Sequence, residues 1–495
     1  IDPRRILTVT YTVAATKDMA ARFTAKFGPE LAEQLEFRTI NGICAKVLQY
    51  YGYRTGKTPH QLLNDEKRIA GILAEIYQRV ERVYPTDGDL KNIRTLITYI
   101  KNMMLNEDEI EALDEGAECK ISVIYREYCS KLKELQMIDY DDQMVYAYVM
   151  LKKIPWLLAH FQELYPYICV DEAQDTSKIQ HAIIALLASR TENLFMVGDE
   201  DQSIYGFRAA YPEALLEFEQ RHRGAKVLLM EENFRSDANI VAAADHFIQK
   251  NTLRHEKHMR ASRESVQQIK EIPVGTRKAQ YAYLAKVAEG CTTETAVLYR
   301  EHECALPLID LLERKGIPYR MRNAELTFFT HRVVQDISNI IRLAANPTDT
   351  ELFLQVYYKL NTYIRRQLAQ EIVKISQEKQ ISVWDAAQQC EGVDGYVKGS
   401  IRSIQTHMLK EPPVRAIHRI TQFMGYQDYL TRSEIKDTKL DTLRILAAME
   451  DTPIRLVERL QELRQIMETK EQDPACPLIL STIHASKGLE YDTVY

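Results

Sequence analysis

Three short apolar runs, each followed directly by charged residues, dominate the middle of the chain. The runs are residues 167–170, 194–197 and 227–230, and the charged clusters that follow them are residues 171–175, 198–202 and 231–236. Apolar runs of four residues that alternate with helix-length segments are typical of buried strands in a parallel α/β sheet. Ligands bind to such sheets beyond the carboxyl ends of the strands, so we expect the three charged clusters to lie along one edge.

The same strand-like pattern recurs at the start of the chain and near its end. Strands are predicted at residues 6–10, 295–300, 317–321 and 478–483, and helices at residues 16–27, 177–189 and 302–315. Residues 60–155 and 345–475 show apolar positions at helical spacing almost throughout. The sequence therefore predicts an α/β fold with two parallel-sheet domains, each of which carries a large helical insertion.

These segments also predict a set of domain boundaries. The first sheet domain is expected at residues 1–52 and 156–224 with its helical insertion at 53–155, and the second at residues 225–345 and 476–495 with its helical insertion at 346–475. A chain of 495 residues is long enough for about three or four domains.

Composition narrows the class of protein. Hydrophobic residues make up 45% of the chain and charged residues 27%, as in soluble globular proteins. No apolar run approaches the roughly 18 residues of a membrane span, and the eight cysteines form no Cys-x-x-Cys pair, so no zinc knuckle or disulfide framework is indicated. We expect a cytoplasmic protein without a membrane segment. Because the net charge is −6, any path for nucleic acid must be a local groove.

The first charged cluster has the residue types that triphosphate hydrolysis requires. Asp171 offers a carboxylate that can hold a hydrated Mg²⁺, and Glu172 offers one that can orient or deprotonate an attacking water. For a bare Asp-Glu pair the favoured interpretation is a solvated acidic turn that caps the following helix at residues 177–189, because short motifs often match by chance.

Residues 52–58 look like a phosphate-binding loop but depart from its pattern. Their spacing between Gly52 and Gly56 is one residue short of Gly-x-x-x-x-Gly-Lys-Ser/Thr, the preceding residues 43–51 are helical in pattern, and Pro59 follows at once. The segment is therefore predicted to be a surface loop that leads into the helical insertion.

Four longer motifs, taken together, carry more information than any single cluster. Residues 167–176, 197–208, 232–236 and 482–490 closely resemble, in the same order, four motifs of the UvrD/PcrA/Rep family of superfamily 1 DNA helicases. The resemblance spans nearly the whole chain. It implies two RecA-like motor domains, ATP and Mg²⁺ as cofactors, and ATP-dependent movement 3′ to 5′ on single-stranded DNA. Duplex-junction DNA, and proteins of repair or replication, are the further partners that it implies.

The resemblance assigns nucleotide-binding roles to particular residues. Asp171 would hold the metal, Glu172 would act as the base, and Gln202 would sense the γ-phosphate or the attacking water. The remaining assignments are Arg235 as an arginine finger, Phe234 stacked on the adenine, Glu490 as an acceptor from the ribose hydroxyl, and Gly488 as a further nucleotide-binding residue. Simpler interpretations are an ion pair of Arg235 with Glu231 or Glu232, a core position for Phe234, and a turn cap for Glu490.

It also assigns a set of DNA-binding residues, in two groups. Those of the first domain are Thr10, Tyr11, Thr39, Tyr205, Phe207 and Arg208, and those of the second are Thr482, His484, Ser486 and Lys487. Phe207 stands where the family usually has Trp, and Val13-Ala14 stands where it usually has Asn-Lys. Tyr11 could instead be a core aromatic, and Thr39 a helix cap.

A basic segment could extend this surface. Lys257, Arg260 and Arg263 are close in sequence and would suit phosphate contacts. A solvated loop is the simpler interpretation of the same pattern.

The two ends of the chain differ from the family pattern. The family's phosphate-binding loop does not precede Ile6, and its last arginine motif does not follow Tyr495. We expect the chain to be a fragment of a longer helicase and, as given, a poor ATPase. A non-catalytic DNA-binding or partner-binding scaffold is the competing hypothesis, and the helicase part of a helicase–nuclease is a third.

Overall fold

In the computed structural model, the chain folds into two compact units, Ile1–Lys270 and Glu271–Tyr495. The structure describes residues 1–10, 12–117, 119–322, 324–393, 407–433 and 435–495. Helices and strands are numbered over these described residues. The domain boundaries inferred from the sequence stay predictions.

The first unit contains a parallel sheet of four strands. Its strands, with those of two smaller sheets, are β1 (Ile6–Thr10), β2 (Glu36–Thr39), β3 (Gln61–Leu62), β4 (Met137–Ile138), β5 (Tyr167–Val170), β6 (Leu194–Met196), β7 (Glu232–Asp237) and β8 (Arg260–Arg263). The four-stranded sheet has the order β2-β1-β5-β6, and β3-β4 and β7-β8 form separate pairs. Val9 of β1 and Val170 of β5 are register partners, and both are buried.

Helices cover this sheet and form most of the segment between β2 and β5. They are α1 (Val13–Phe27), α2 (Pro29–Ala32), α3 (Ile40–Thr55), α4 (Glu66–Glu81), α5 (Asp87–Met103), α6 (Glu107–Ala112), α7 (Ile121–Glu134), α8 (Tyr140–Lys153), α9 (Pro155–Leu164), α10 (Lys178–Ala188), α11 (Glu213–Leu216), α12 (Phe218–Arg221) and α13 (Ala238–Ile248). The sheet shares one hydrophobic core with α3, α8, α9 and α10. Helices α4, α5 and α7 pack around a second core of their own, so the helical segment has an independent interior.

The second unit repeats the parallel arrangement. Its strands are β9 (Thr295–Tyr299), β10 (Arg320–Arg322), β11 (Leu478–Thr482) and β12 (Thr493–Val494). They lie in the order β10-β11-β9-β12 and pair in parallel. All five residues of β11 are buried, as expected of a central strand with both faces covered.

Helices make up the rest of the second unit that the structure describes. They are α14 (Arg277–Glu289), α15 (Leu306–Lys315), α16 (Thr327–Thr330), α17 (Arg332–Ala345), α18 (Thr350–Val356), α19 (Arg366–Lys379), α20 (Val383–Gln389), α21 (Pro413–His418), α22 (Tyr426–Arg432), α23 (Leu440–Ala447) and α24 (Pro453–Thr469). The predicted fold class is confirmed, because both sheets are parallel and each is accompanied by a long helical segment. Among the described residues, no helix combines the length and apolar character that a membrane span needs.

The third apolar run of the sequence is not a strand, so that prediction is wrong. Residues 227–230 lie in an irregular segment, and Leu228 and Met230 are 85% and 81% exposed. The strand begins later, at Glu232, because β8 supplies its partner: the Arg260 N–H donates to the Glu231 carbonyl at 2.7 Å. Two of the three charged clusters therefore follow strands of the four-stranded sheet, and the third belongs to the β7-β8 pair.

The prediction that residues 52–58 form a surface loop holds only from Gly56 onward, because residues 52–55 belong to the last turn of helix α3. Helix α3 runs to Thr55 and ends at Gly56, whose φ of +69° is the left-handed conformation that glycine adopts readily at helix C-termini. The segment does not open a helix, so it lacks the geometry of a phosphate-binding loop.

A buried ion pair fastens helix α5 to the start of helix α8, which packs in the core of the sheet. The Lys101 ammonium on α5 donates to Asp139 and lies 2.7 Å from one oxygen each of Asp139 and Asp142. Burial alone would lower the pKa of Lys101, but the two carboxylates raise it above its ordinary value. Next to it, Asn102 donates to Asp141 and accepts from Ser177, the residue that precedes α10.

We predict that Lys101→Met destabilises the first unit by about 3–5 kcal/mol, because removal of one partner leaves buried carboxylates without a counter-charge. Urea unfolding followed by circular dichroism measures the loss. The matched control is Arg126→Met, which removes an exposed cation paired with Glu107 and Glu111 and should destabilise the unit far less, because solvent screens an exposed pair. Equal losses in the two variants would contradict the prediction.

Candidate functional site

The first charged cluster is held between two neighbouring strands. Beyond β5, the Asp171 N–H donates to the Val9 carbonyl at 3.0 Å, and the Ala173 N–H donates to the Val197 carbonyl at 3.0 Å. These bonds extend the pairing of β5 with β1 and β6 past its last residue. Asp171 and Glu172 therefore stand at the carboxyl end of a central strand, where ligands of parallel sheets bind.

Glu172 has an unusual backbone conformation. Its φ of +51° and ψ of +43° are left-handed values, which a non-glycine residue adopts at a cost of about 1–3 kcal/mol. Such strain persists where the surrounding contacts enforce it, and it is concentrated at functional sites. The conformation sharply reverses the chain after the strand and leads into the short 3-10 helix Ala173–Asp175.

A chain of hydrogen bonds joins Glu172 to Gln202. The Gln174 amide donates to the Glu172 carboxylate at 2.5 Å and accepts from the Asp199 N–H at 3.0 Å. The Gln202 amide in turn donates to the Asp199 carboxylate at 2.7 Å. Gln174 is only 1% exposed, so the middle of this link is shielded from water, whereas Gln202 at its end is exposed. The structure thus brings the predicted base and the predicted sensor into one network.

Gly198 makes this close approach possible. A Cβ atom at this position would lie 2.8 Å from both Gln174 Oε1 and Leu215 Cδ1. Those separations are too short for real contacts, so a side chain here would push Gln174 away from Asp199.

The two acidic clusters have different electrostatic environments. Burial, together with the neighbouring Glu172 carboxylate, raises the pKa of Asp171 above its ordinary value. Burial acts in the same direction on Asp199, but hydrogen bonds from Lys257 and Gln202 outweigh it and hold the pKa of Asp199 below its ordinary value. The negative charge of Asp171 is therefore less well compensated by neighbouring groups than that of Asp199.

This difference decides which carboxylate fits a metal ion. Asp199, Glu200 and Asp201 lie close enough together to share one, but Lys257 Nζ already stands 2.6, 3.1 and 3.3 Å from their oxygens. Asp171 has a half-buried carboxylate and a strand-end position that suit Mg²⁺. Its role as the metal ligand stays a prediction.

Lys257 corrects the sequence interpretation of the basic segment. It is 8% exposed and paired with three carboxylates, so the expectation of a solvated loop is wrong for this residue. Arg260 and Arg263 are exposed and lie in β8, which is a strand rather than a loop.

His181 is a buried residue of helix α10, close to the first charged cluster. In the described part of the chain, its ring nitrogen Nε2 has no hydrogen-bond partner. Burial lowers the pKa of His181 to about 4, although a hydrogen bond to the backbone of Ala173 opposes the shift. The histidine is therefore neutral in the folded protein at ordinary pH.

The third motif contributes Phe234 and Arg235 from β7. Phe234 is 70% exposed, which rules out the alternative of a core position. The Arg235 N–H donates to the Asn233 side chain at 2.9 Å. The Glu231 carboxylate is paired with Arg260 at 3.5 Å. The assignment of Arg235 as an arginine finger stays a prediction.

Two of the predicted DNA contacts in the first unit are register partners. Thr10 of β1 pairs with Thr39 of β2, so both stand at the carboxyl ends of adjacent strands. The Thr10 hydroxyl is bonded to that of Thr16 at 2.8 Å. The Thr39 hydroxyl accepts from the Gly42 N–H at 3.1 Å, and this is the helix cap expected as its alternative role. Tyr11 lies outside the described residues.

An aromatic pair follows the sensor glutamine. The rings of Tyr205 and Phe207 meet edge to face with centroids 6.2 Å apart, and Phe207 is 49% exposed. Phe207 lies in the short 3-10 helix Gly206–Arg208, and the side chain of Arg208 is outside the described part of the structure. The exposed ring offers a face on which a base can stack.

The predicted residues of the second unit follow β11. The Thr482 hydroxyl accepts from the Ala485 N–H at 3.2 Å, and the Ser486 hydroxyl donates to that of Ser481 at 2.9 Å. Lys487 N–H donates to the His484 carbonyl at 3.4 Å. The chain then turns at Gly488, whose φ of +79° is left-handed.

Glu490 lies a few residues further on, at the edge of a pocket. The pocket has a volume of about 220 Å³, and Arg320, Arg322 and Tyr491 line it with Glu490. Its lining provides both acidic and basic groups.

Sequence analysis missed Arg300 as a candidate. Its guanidinium lies 3.1 Å from the His484 ring, and it directly follows β9, which pairs with β11. The rule that places ligands at the carboxyl ends of parallel strands would have identified it.

Comparison with known protein families accounts for both units. A model of the UvrD/REP helicase N-terminal domain matches residues 1–223, and a model of the UvrD-like helicase C-terminal domain matches residues 228–495. These matches cover nearly the whole chain, and the chain belongs to the UvrD-like helicase family.

Individual relatives are more distant but extend over the same length. The chain is 26% identical over 521 residues to the ATP-dependent DNA helicase PcrA of Staphylococcus epidermidis, with 100% of this chain and 71% of the relative covered. It is 26% identical over 515 residues to the putative ATP-dependent DNA helicase YjcD of Bacillus subtilis, with 100% of this chain and 67% of the relative covered. PcrA of Staphylococcus aureus is 24% identical over 522 residues, with coverages of 100% and 71%.

We predict that Gly198→Ala destabilises the first unit by about 1–3 kcal/mol, the usual effect of overpacking a filled interior. The physical reason is the contact of the new Cβ with Gln174 and Leu215. Thermal or urea unfolding measures it. Gly116→Ala is the control, because nothing lies within 4 Å of a Cβ there. If Gly198→Ala proved as stable as Gly116→Ala, the space around Gly198 would accommodate a methyl group, and the prediction would be wrong.

We predict that His181 makes the first unit less stable as the pH falls below 6.5. The unfolded chain then binds a proton that the buried ring does not accept until the pH approaches about 4, so the unfolding free energy drops by up to about 3 kcal/mol over this range. Unfolding measured between pH 5 and 7 should show a smaller dependence in His181→Gln. The exposed His60 provides the control: His60→Gln should keep the wild-type dependence, and an unchanged slope in His181→Gln would refute the assignment.

Proposed function

We propose that this chain is the motor of an ATP-dependent DNA helicase that moves 3′ to 5′ on single-stranded DNA. The observation that supports it most is the hydrogen-bonded chain from Glu172 through Gln174 and Asp199 to Gln202. Family membership supports the same conclusion, and the relatives bear the name ATP-dependent DNA helicase.

In this proposal the end of β5 activates water. Glu172 takes the proton of the attacking water, and the bond from Gln174 keeps one oxygen of its carboxylate engaged so that the other faces the substrate. Asp171 would hold Mg²⁺, which would supply positive charge beside the phosphate oxygens. Burial and the neighbouring Glu172 carboxylate raise the pKa of Asp171, and a bound cation would favour its charged form.

Further residues recognise the triphosphate. Gln202 contacts the γ-phosphate or the water, and Arg235 stabilises the charge that develops on the transferred group. The exposed ring of Phe234 stacks on the adenine, Glu490 accepts from the ribose hydroxyl, and Gly488 is a further contact to the nucleotide. The supporting observation for Glu490 is its position at a pocket edge.

The DNA contacts are proposed from both units. Tyr205 and Phe207 stack on the DNA bases, and Arg208 binds a DNA phosphate. Thr10, Tyr11 and Thr39 contact the neighbouring part of the single-stranded DNA. Thr482, His484, Ser486 and Lys487 contact the backbone from the second unit, and we add Arg300 because its guanidinium lies beside His484. Phe207 is only five positions after Gln202, so a change at the phosphate reaches the base-binding ring along a short covalent path.

The biological setting completes the proposal. Duplex-junction DNA is the substrate class, proteins of DNA repair or replication are the partners, and the compartment is the cytoplasm. These properties rest on the family resemblance.

The test uses the protein encoded by the complete gene. ATP hydrolysis should rise when single-stranded DNA is added, and a duplex with a 3′ tail should be unwound faster than one with a 5′ tail. Turnover that DNA does not stimulate, in a protein that still binds DNA, would favour the competing scaffold hypothesis.

We predict that Glu172→Gln lowers turnover by about 10²- to 10⁴-fold, the usual contribution of a general base. ATP binding, measured with a fluorescent analogue, should persist because the amide keeps the size of the side chain. Glu163→Gln, an exposed position on α9, is the control and should hydrolyse ATP at the wild-type rate. If Glu172→Gln hydrolysed ATP at the wild-type rate, Glu172 would not be the general base.

A further inference from the structure

A short basic segment is bound to the acidic cluster that precedes Gln202. The Arg254 guanidinium donates to both oxygens of Asp201 at 2.8 to 3.1 Å, and the His255 N–H donates to Glu200 at 2.9 Å. Lys257 Nζ donates to Asp199 at 2.6 Å and to Glu200 at 3.1 Å. The bond to Asp199 joins residues 58 positions apart, so the contact is a tertiary one.

The cluster is buried and nearly balanced in charge. Lys257 and Glu200 are both almost fully buried, and the side chain of Arg254 is 5% exposed. Three carboxylates face two cations, with His255 as a further titratable group 3.4 Å from Glu200. Burial would lower the pKa of Lys257, but Asp199 and Glu200 raise it, so the ammonium stays charged.

Asp199 connects this cluster to the sensor. One of its oxygens accepts from Lys257, and the other accepts from the Gln202 amide at 2.7 Å. The first oxygen also accepts from the Asp201 N–H at 3.1 Å. With both oxygens engaged, the carboxylate cannot rotate without breaking a charge-assisted bond, and the Gln202 side chain is oriented as a result.

We propose that Lys257 is a positioning residue for Gln202: through Asp199, it holds the glutamine amide in the orientation that the hydrolysis step uses. Lys257 does not itself touch the nucleotide. The inference rests on the proposed function, because it gives Lys257 a role in the reaction assigned there.

A neighbouring residue offers a matched control. Arg254 is as buried as Lys257 and belongs to the same cluster, but its carboxylate partner is Asp201 rather than Asp199. Arg254→Met and Lys257→Met each remove one buried cation, so both should lower the melting temperature. Only Lys257→Met removes a bond from the carboxylate that orients Gln202.

The experiment is a double-mutant cycle on DNA-stimulated ATP hydrolysis by the complete protein. Lys257→Met should lower kcat by about tenfold, within the range of coupling between contacting residues, and should change the KM for ATP less. In a Gln202→Ala background, Lys257→Met should lower kcat by less than about twofold, because the side chain that it positions is gone. Arg254→Met should keep kcat near the wild-type value.

Each remaining outcome has a defined meaning. Equal effects of Lys257→Met with and without Gln202, or an equal fall of kcat in Arg254→Met, would overturn the positioning role and leave a structural ion pair. If Lys257→Met does not fold, Lys257→Arg takes its place in the cycle, since it keeps the charge but presents nitrogens in a different geometry. A wild-type protein that does not hydrolyse ATP would refute the proposed function itself, and the inference with it.

Discussion

The buried amide of Gln174 is the interaction on which the arrangement of the site depends. Its nitrogen binds the Glu172 carboxylate and its oxygen binds the Asp199 backbone, so it connects the ends of two neighbouring strands. Removing the partner of a buried polar group lowers the free energy of unfolding by about 1–3 kcal/mol. The Gln174 amide provides the acceptor for the Asp199 N–H, so its loss would leave that donor without a partner. The strained turn at Glu172 persists because this bond and the strand-end bonds around it fix the turn on both sides.

Charge compensation separates two acidic clusters that look alike in sequence. Asp199 and its neighbours have the ammonium of Lys257 among them, and a divalent cation would have to displace it. Asp171 has the Glu172 carboxylate beside it, and its pKa is raised. A cation at Asp171 would relieve that repulsion. The proposed division between a metal-binding end of β5 and a sensing end of β6 follows from where the lysine lies.

Parts of this arrangement follow from local sequence. Strands β1 and β5 coincide with the predicted residues 6–10 and 167–170, because a short, mostly apolar run bounded by polar residues favours a buried strand. Residues 227–230 satisfy the same rule, but the structure gives them no neighbouring strand. The position of Glu172 just past a strand end was predictable, whereas the contacts made by Gln174 and Lys257 were not. Those contacts join residues 25 and 58 positions apart, and no local pattern specifies which distant side chains will meet.

The ion pairs of Arg254 and Lys257 have a mechanical consequence. They tie the chain back to the residues from which it departs after β6, so β7 and α13, which lie between, form a closed loop fastened at both ends. Arg235 lies within that loop. Because β7 pairs with β8, which begins three residues after Lys257, the strand that carries Arg235 is joined to the cluster beside Gln202 by a short stretch of chain as well as by the long one.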